Sequence, residues 1–123
     1  MKQILVSDDS ATMRRMVISS LRGLPGVHCD EAANGLEAIE RLSLEPIDLM
    51  IVDLNMPDMH GLEVVQFVRR HAAFQTIPII MLTTRGDDES RNAAMAAGAN
   101  VYLTKPFEPK ELAATAKELL RLD

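Results

Sequence analysis

Short apolar runs alternate along the chain with longer stretches in which apolar residues recur every three or four positions, and Gly, Pro, Asn or Asp separates one from the next. The short runs predict strands over Gln3–Ser7, Val27–Ala32, Ile47–Val52, Ile77–Leu82 and Asn100–Leu103. Three of these read as continuous Ile, Leu, Val and Met, the signature of strands covered on both faces and so of a parallel sheet.

The longer stretches predict helices. Met13, Met16, Val17, Leu21 and Leu24 share a face behind Ser10, a favourable N-cap. Asn34 followed by Glu37 has the form of a capping box ahead of Leu36, Ile39 and Leu42, and Leu62, Val65 and Val68 follow Gly61. Asp87, Asp88 and Glu89 suit the positive end of a fourth helix that runs through alanines and stops at Gly98. Pro109 suits the first turn of a fifth, carrying Leu112, Ala116, Leu119 and Leu120. Repeated βα units imply right-handed crossovers and a doubly wound three-layer α/β sandwich, one domain over residues 1–123 without linker or repeat.

Such sheets bind ligands at the carboxyl ends of their strands, where strand order reverses. The residues just past the predicted strands are Asp8-Asp9, Asp53, Thr83-Thr84 and Thr104-Lys105. Taken singly they have ordinary readings: helix capping for Asp8-Asp9 and Thr83-Thr84, a turn before Met56-Pro57 for Asp53. Brought to one crevice, the carboxylates repel, since unit charges about 4 Å apart interact by roughly 4 kcal/mol at an effective dielectric near 20. A hard divalent cation with oxygen ligands offsets this, and so few carboxylates favour Mg²⁺ retaining waters over Ca²⁺. Lys105 supplies a second positive charge. A carboxylate beside Mg²⁺, a lysine and a hydroxyl has the parts for phosphoryl transfer, with Asp53 as nucleophile.

Composition narrows the rest. The chain has 47% hydrophobic and 25% charged residues, and thirteen basic against eighteen acidic residues leave a charge of −5. This is the composition of an ordinary soluble domain and argues against direct nucleic-acid binding. Cys29 is the single cysteine, so an internal disulfide or a CxxC metal site is excluded and a reducing cytoplasm fits. No apolar run is long enough for membrane insertion, no secretory signal opens the chain, and there is no Gly-rich phosphate loop. His28, His60 and His71 lack metal-ligand spacing, the methionines read as core filler, and Arg14-Arg15 and Arg69-Arg70 read as solvated helix faces.

The ordered set Asp8-Asp9, Val52-Asp53-Leu54-Asn55-Met56-Pro57 with Gly61, Thr83, and Tyr102-Leu103-Thr104-Lys105-Pro106 resembles the receiver domains of two-component response regulators over the whole chain. Asp8-Asp9-Ser10-Ala11-Thr12-Met13-Arg14-Arg15-Met16 further resembles the single-domain chemotaxis regulators of the CheY type. The resemblance implies the flavodoxin-like (βα)5 fold with strand order 2-1-3-4-5, of which CheY is a standard example. By the same resemblance Asp53 accepts a phosphoryl group from a phosphohistidine on a sensor histidine kinase. Asp9, Asp53 and the Asn55 backbone carbonyl hold Mg²⁺, Asp8 acts through a metal-bound water, Lys105 pairs with the phosphoryl oxygens and Thr83 closes on them. Tyr102 then swings inward, reshaping the surface of helix four, strand five and helix five for a target such as a flagellar motor switch component. A phosphatase is a possible further partner, and the Lys105-Pro106 bond is commonly cis in the family.

Three residues depart from the family's usual pattern: Thr84, where a smaller residue such as alanine is common; His60, where a small or acidic one is frequent; and Arg85, where some chemotaxis relatives are acidic. Tyr102 also has a plainer reading, a strand residue whose phenol reaches water. Met1 and a helix running to the last residues point to a stand-alone protein that undergoes self-phosphorylation and autodephosphorylation only, and is otherwise not an enzyme. An aspartate-nucleophile phosphatase of the haloacid dehalogenase kind is the enzymatic alternative, although Asn55 stands where it needs a second acid. A non-phosphorylated interaction domain of the same fold is the other.

Overall fold

The computed structural model describes residues 1–122. Strands β1 (Lys2–Ser7), β2 (Val27–Ala32), β3 (Leu49–Val52), β4 (Ile79–Thr83) and β5 (Val101–Thr104) alternate with helices α1 (Ala11–Leu21), α2 (Gly35–Leu44), α3 (Gly61–Arg70), α4 (Asp88–Ala97) and α5 (Pro109–Leu119). The strands pair in parallel in the order β2-β1-β3-β4-β5, the flavodoxin-like arrangement.

The two-residue period of the strands divides the core into layers. Leu5, Met50, Val52, Ile79, Met81 and Tyr102 pack with Ala38, Leu42, Val64, Val65, Val68 and Ala94, so α2, α3 and α4 cover one face. Ile4, Val6, Leu49, Ile51, Ile80 and Leu82 pack with Val17, Leu21, Leu112, Ala116 and Leu120, so α1 and α5 cover the other. Every residue of β3 is buried as a result, which is why that strand has no polar alternation.

The predicted elements are all present; β2 has the predicted bounds, and the other four strands have shifted ends. Ile47 and Ile77 are buried but lie outside strands, and Thr83 and Thr104 are the last strand residues rather than the first beyond them. Leu36 and Met16, read as apolar-face residues, are 58% and 50% exposed, and Val64 is buried in α3 where the three-residue spacing had passed over it. Ser10 caps α1 by accepting from the Met13 N–H. Asn34 caps α2 through the Glu37 N–H, but Glu37 accepts from Ala33 rather than Asn34, so the predicted reciprocal box is not made. Asp87, not Thr83 or Thr84, caps α4. Pro109 opens α5, Gly98 ends α4 at φ 120°, and Lys105–Pro106 is cis.

Candidate functional site

The chain adds β2 on one side of β1 and then returns to place β3 on the other. The carboxyl ends of β1 and β3 therefore flank the point where strand order reverses. Beyond them the ladder continues for one residue each: Asp8 N–H donates to Ala32 O and Asp53 N–H to Ser7 O, both at 3.0 Å. Lys105 N–H does the same to Thr83 O at 2.8 Å. Backbone pairing thus fixes where the three side chains start.

One carboxylate oxygen each from Asp8, Asp9 and Asp53 lies within 4.8 Å of the others. Asp8 and Asp53 are buried and Asp9 is exposed. Lys105 Nζ donates to Asp8 Oδ2 at 2.6 Å and sits 3.4 Å from Asp53 Oδ2, its side chain only 9% exposed. Asp8 Oδ1 also accepts from Ser10 N–H at 2.9 Å, and Asp53 Oδ1 from Asn55 N–H at 3.4 Å. Burial pushes the Asp53 carboxyl above the usual range; Lys105 opposes it, Asp8 adds to it, and hydrogen bonds from Thr83 and Asn55 oppose it.

Three carboxylates against one ammonium leave 3 − 1 = 2 uncompensated negative charges when all are ionised. That is the charge of one divalent cation. Three oxygens no more than 4.8 Å apart lie close to the roughly 4.2 Å that separates opposite ligands of octahedral Mg²⁺, so the residues fit such an ion with water completing the shell.

Thr83 is fully buried, and its hydroxyl oxygen accepts from the Arg85 N–H at 3.3 Å. The Tyr102 hydroxyl donates to the carbonyl of that same Arg85. The plainer reading of Tyr102 is corrected in part: it is a strand residue, but it is only 5% exposed and packs in the layer of α2, α3 and α4, with Arg91 5.8 Å from the ring centroid, and its phenol is spent on a backbone carbonyl. The inward position that the resemblance reserves for an activated state is already taken here. Thr84 is exposed at the rim, and the Arg85 guanidinium faces Asp87 at 3.4 Å.

Two features had no signal in the sequence. His60 caps α3: its Nδ1 accepts from Leu62 N–H at 3.2 Å, while Glu63 Oε1 accepts from His60 N–H at 3.1 Å. Histidine is not among the usual capping residues. Arg14 and Arg69 are not solvated. Arg14 bonds the Asp8 carbonyl and Glu31, and Arg69 donates to the carbonyls of Gln75, Ile77 and Gly98 and to Asn100 Oδ1. Their partners are mostly backbone oxygens, which no residue pattern reveals. Arg15 and Arg70 do face solvent.

Comparison with known proteins gives one consistent answer. The profile of the response regulator receiver domain matches residues 4–117. The chemotaxis protein CheY1 of Helicobacter pylori is 43% identical over 111 residues, covering 89% of this chain and 90% of that protein. The structure of chemotaxis response regulator CheY4 of Vibrio cholerae superposes with a TM-score of 0.87 at 37% identity, covering 97% of this chain and 98% of that one. The receiver domain of the sensor histidine kinase PA1611 from Pseudomonas aeruginosa, with magnesium coordinated in its active-site cleft, superposes with a TM-score of 0.88 at 26% identity over 98% of both chains.

Proposed function

The chain belongs to the response regulator receiver domain family, of the CheY type, and we propose that it works as a phosphorylation switch with Asp53 as acceptor. The observation that carries this is the seating of Lys105 between Asp8 and Asp53 within the triad of carboxylates. Asp9, Asp53 and the Asn55 backbone carbonyl would hold Mg²⁺, with Asp8 acting through water. Bound there, the ion supplies neutralisation of the charge that gathers on phosphoryl oxygens in the transition state.

An Asp53 oxygen attacks the phosphorus of a phosphohistidine. The O–P bond forms as the P–N bond breaks, and the electron pair leaves on the imidazole nitrogen, which takes up a proton. Lys105 holds the phosphoryl oxygens, and the Thr83 hydroxyl turns from the Arg85 N–H to donate to them. Because Tyr102 hangs on the Arg85 carbonyl, a shift of that segment alters the hold on Tyr102 and with it the face of α4, β5 and α5. With the ring already inward, phosphorylation acts by fixing a conformation that the free chain also visits. A chemotaxis-type histidine kinase is the donor, a target protein such as a motor switch component reads the surface, and a phosphatase resets it. The location is cytoplasmic, consistent with the lack, among the described residues, of a helix long and apolar enough to cross a membrane. No external substrate is turned over.

Intact mass after incubation with Mg²⁺ and phosphoramidate tests this. Wild type gains one phosphoryl group; Asp53→Asn, or wild type in excess chelator, gains none. A gain that persists in Asp53→Asn, or turnover of a small phosphomonoester, overturns it.

A further inference from the structure

We propose that Arg14 is a positioning residue for the acidic site: by gripping the peptide between Asp8 and Asp9 it sets how tightly the site takes a divalent cation. This rests on the reading of the site as a cation-binding one. Arg14 belongs to α1, and its side chain is only 15% exposed. Its Nη1 donates to the Asp8 carbonyl oxygen at 2.6 Å and its Nε to Glu31 Oε1 at 2.7 Å. A planar guanidinium fork meets two acceptors at once in a fixed geometry, which an ammonium does not reproduce.

The Asp8 carbonyl is half of the peptide that leads into Asp9. The peptide is planar, so a bond that restrains its oxygen also restrains the plane out to the Asp9 Cα, and hence the point from which Asp9 presents its carboxylate. Asp8 has other supports, from Ser10 N–H and Lys105. Asp9 is exposed, and no hydrogen bond to its carboxylate is found among the described residues. Its aim therefore comes from the backbone, and Arg14 is the side chain that holds that backbone. Glu31, on the edge strand β2, steadies the guanidinium from the far side and is 46% exposed. An ion pair so open to solvent adds little to stability, which leaves orientation as its main consequence.

Charge and orientation predict opposite signs. As a nearby cation alone, Arg14 repels a divalent ion, and its removal tightens binding. As a brace, its removal loosens binding. Mg²⁺ dissociation constants from calorimetry on the unphosphorylated full chain separate the two, with circular dichroism melts run in parallel. Arg14→Gln and Arg14→Lys are each expected to weaken Mg²⁺ binding about tenfold, the lower end of the effect of supporting residues on metal affinity. Arg14→Lys keeps the charge and covers the case in which Arg14→Gln folds poorly. Ile80→Val, a mild core change, is expected to lower the melting temperature and leave the affinity alone. Unchanged affinity in Arg14→Lys, tighter binding in Arg14→Gln, or an equal loss in Ile80→Val overturns the inference. Where wild type takes no Mg²⁺, or Asp53→Asn takes it equally well, the reading of the site falls and this inference with it. Where Asp53→Asn loses the ion and the Arg14 variants keep it, only this inference falls.

Discussion

Cys29 shows how far a single side chain is governed by its neighbours. It lies on β2, partly buried between His28 and Asp30. Burial first, and then the carboxylates of Asp30 and Glu31, push its thiol up from 9.0 to about 11. The thiolate is the nucleophile, so near pH 8 the folded chain holds about a hundredfold less of the reactive form than the unfolded chain. Iodoacetamide at pH 8 should therefore label the native protein about a hundredfold more slowly than the protein in urea, and the native rate should still be climbing above pH 9. Equal rates would show an ordinary thiol. The sign for stability follows: the unfolded chain loses this proton first, so the thiol favours the fold below pH 9 and that support fades as pH rises towards 11. The single cysteine was legible in the sequence, and its inertness was not, because burial and the nearby charges come from strand pairing. The same limit explains Arg14 and Arg69. Asp8, Asp9, Asp53 and Lys105 were readable because polar residues directly after apolar runs must emerge at a strand end whatever the detail.

At the scale of elements, α3 is held hard against the end of β3. Gly61 N–H donates to Leu54 O at 2.9 Å, and a Cβ on Gly61 would fall 2.1 Å from the Asp53 carbonyl oxygen and 2.8 Å from Leu54 Cα. Both obstacles are backbone, so neither yields by a rotamer change. Gly61→Ala must push α3 away from the strand or move the peptide that carries Asp53. The expected cost is that of overpacking, about 1–3 kcal/mol, or a fall of roughly 3–10 °C in melting temperature. Labelling at Asp53 by phosphoramidate should fall with it. Gly23→Ala, where nothing lies within 4 Å of the added carbon, is the control and should change neither. An unaltered Gly61→Ala protein would mean that α3 floats free of the site. The glycine was visible in the sequence as a motif mark, and the structure supplies its reason. Strand ends were less legible: Ile47 and Ile77 are as buried as strand residues but unpaired, and hydrophobicity alone does not tell a buried approach from a ladder.

For the whole molecule, the crevice proposed to take a cation is a liability without one. The chain carries −5 overall, and its acidic triad keeps two charges that Lys105 does not offset. Asp9 is the member whose removal isolates this effect. Asp8→Asn would strand the Lys105 ammonium that it holds at 2.6 Å, and Asp53→Asn would loosen the same lysine. Asp9 is exposed and carries no such partner among the described residues, so Asp9→Asn takes away repulsion and little else. Repulsion between charges about 4 Å apart amounts to roughly 1–4 kcal/mol between fully watery and half-buried surroundings. In excess chelator, Asp9→Asn should therefore melt several degrees above wild type. Adding Mg²⁺ should reverse the order. A ligand at about a hundred times its dissociation constant stabilises the fold by about 2.7 kcal/mol, above the repulsion of an exposed carboxylate near the watery end of that range, and the neutral amide oxygen of Asp9→Asn holds a hard cation far less well than a carboxylate does. Melting curves of the two proteins with and without Mg²⁺ check it in one experiment. Wild type more stable in chelator, or equal gains from Mg²⁺ in both, would mean that the three carboxylates neither oppose one another nor share an ion. The crossing of the two orders would show that stability is given up at this strand end in exchange for a place where a cation and a phosphoryl group are bound.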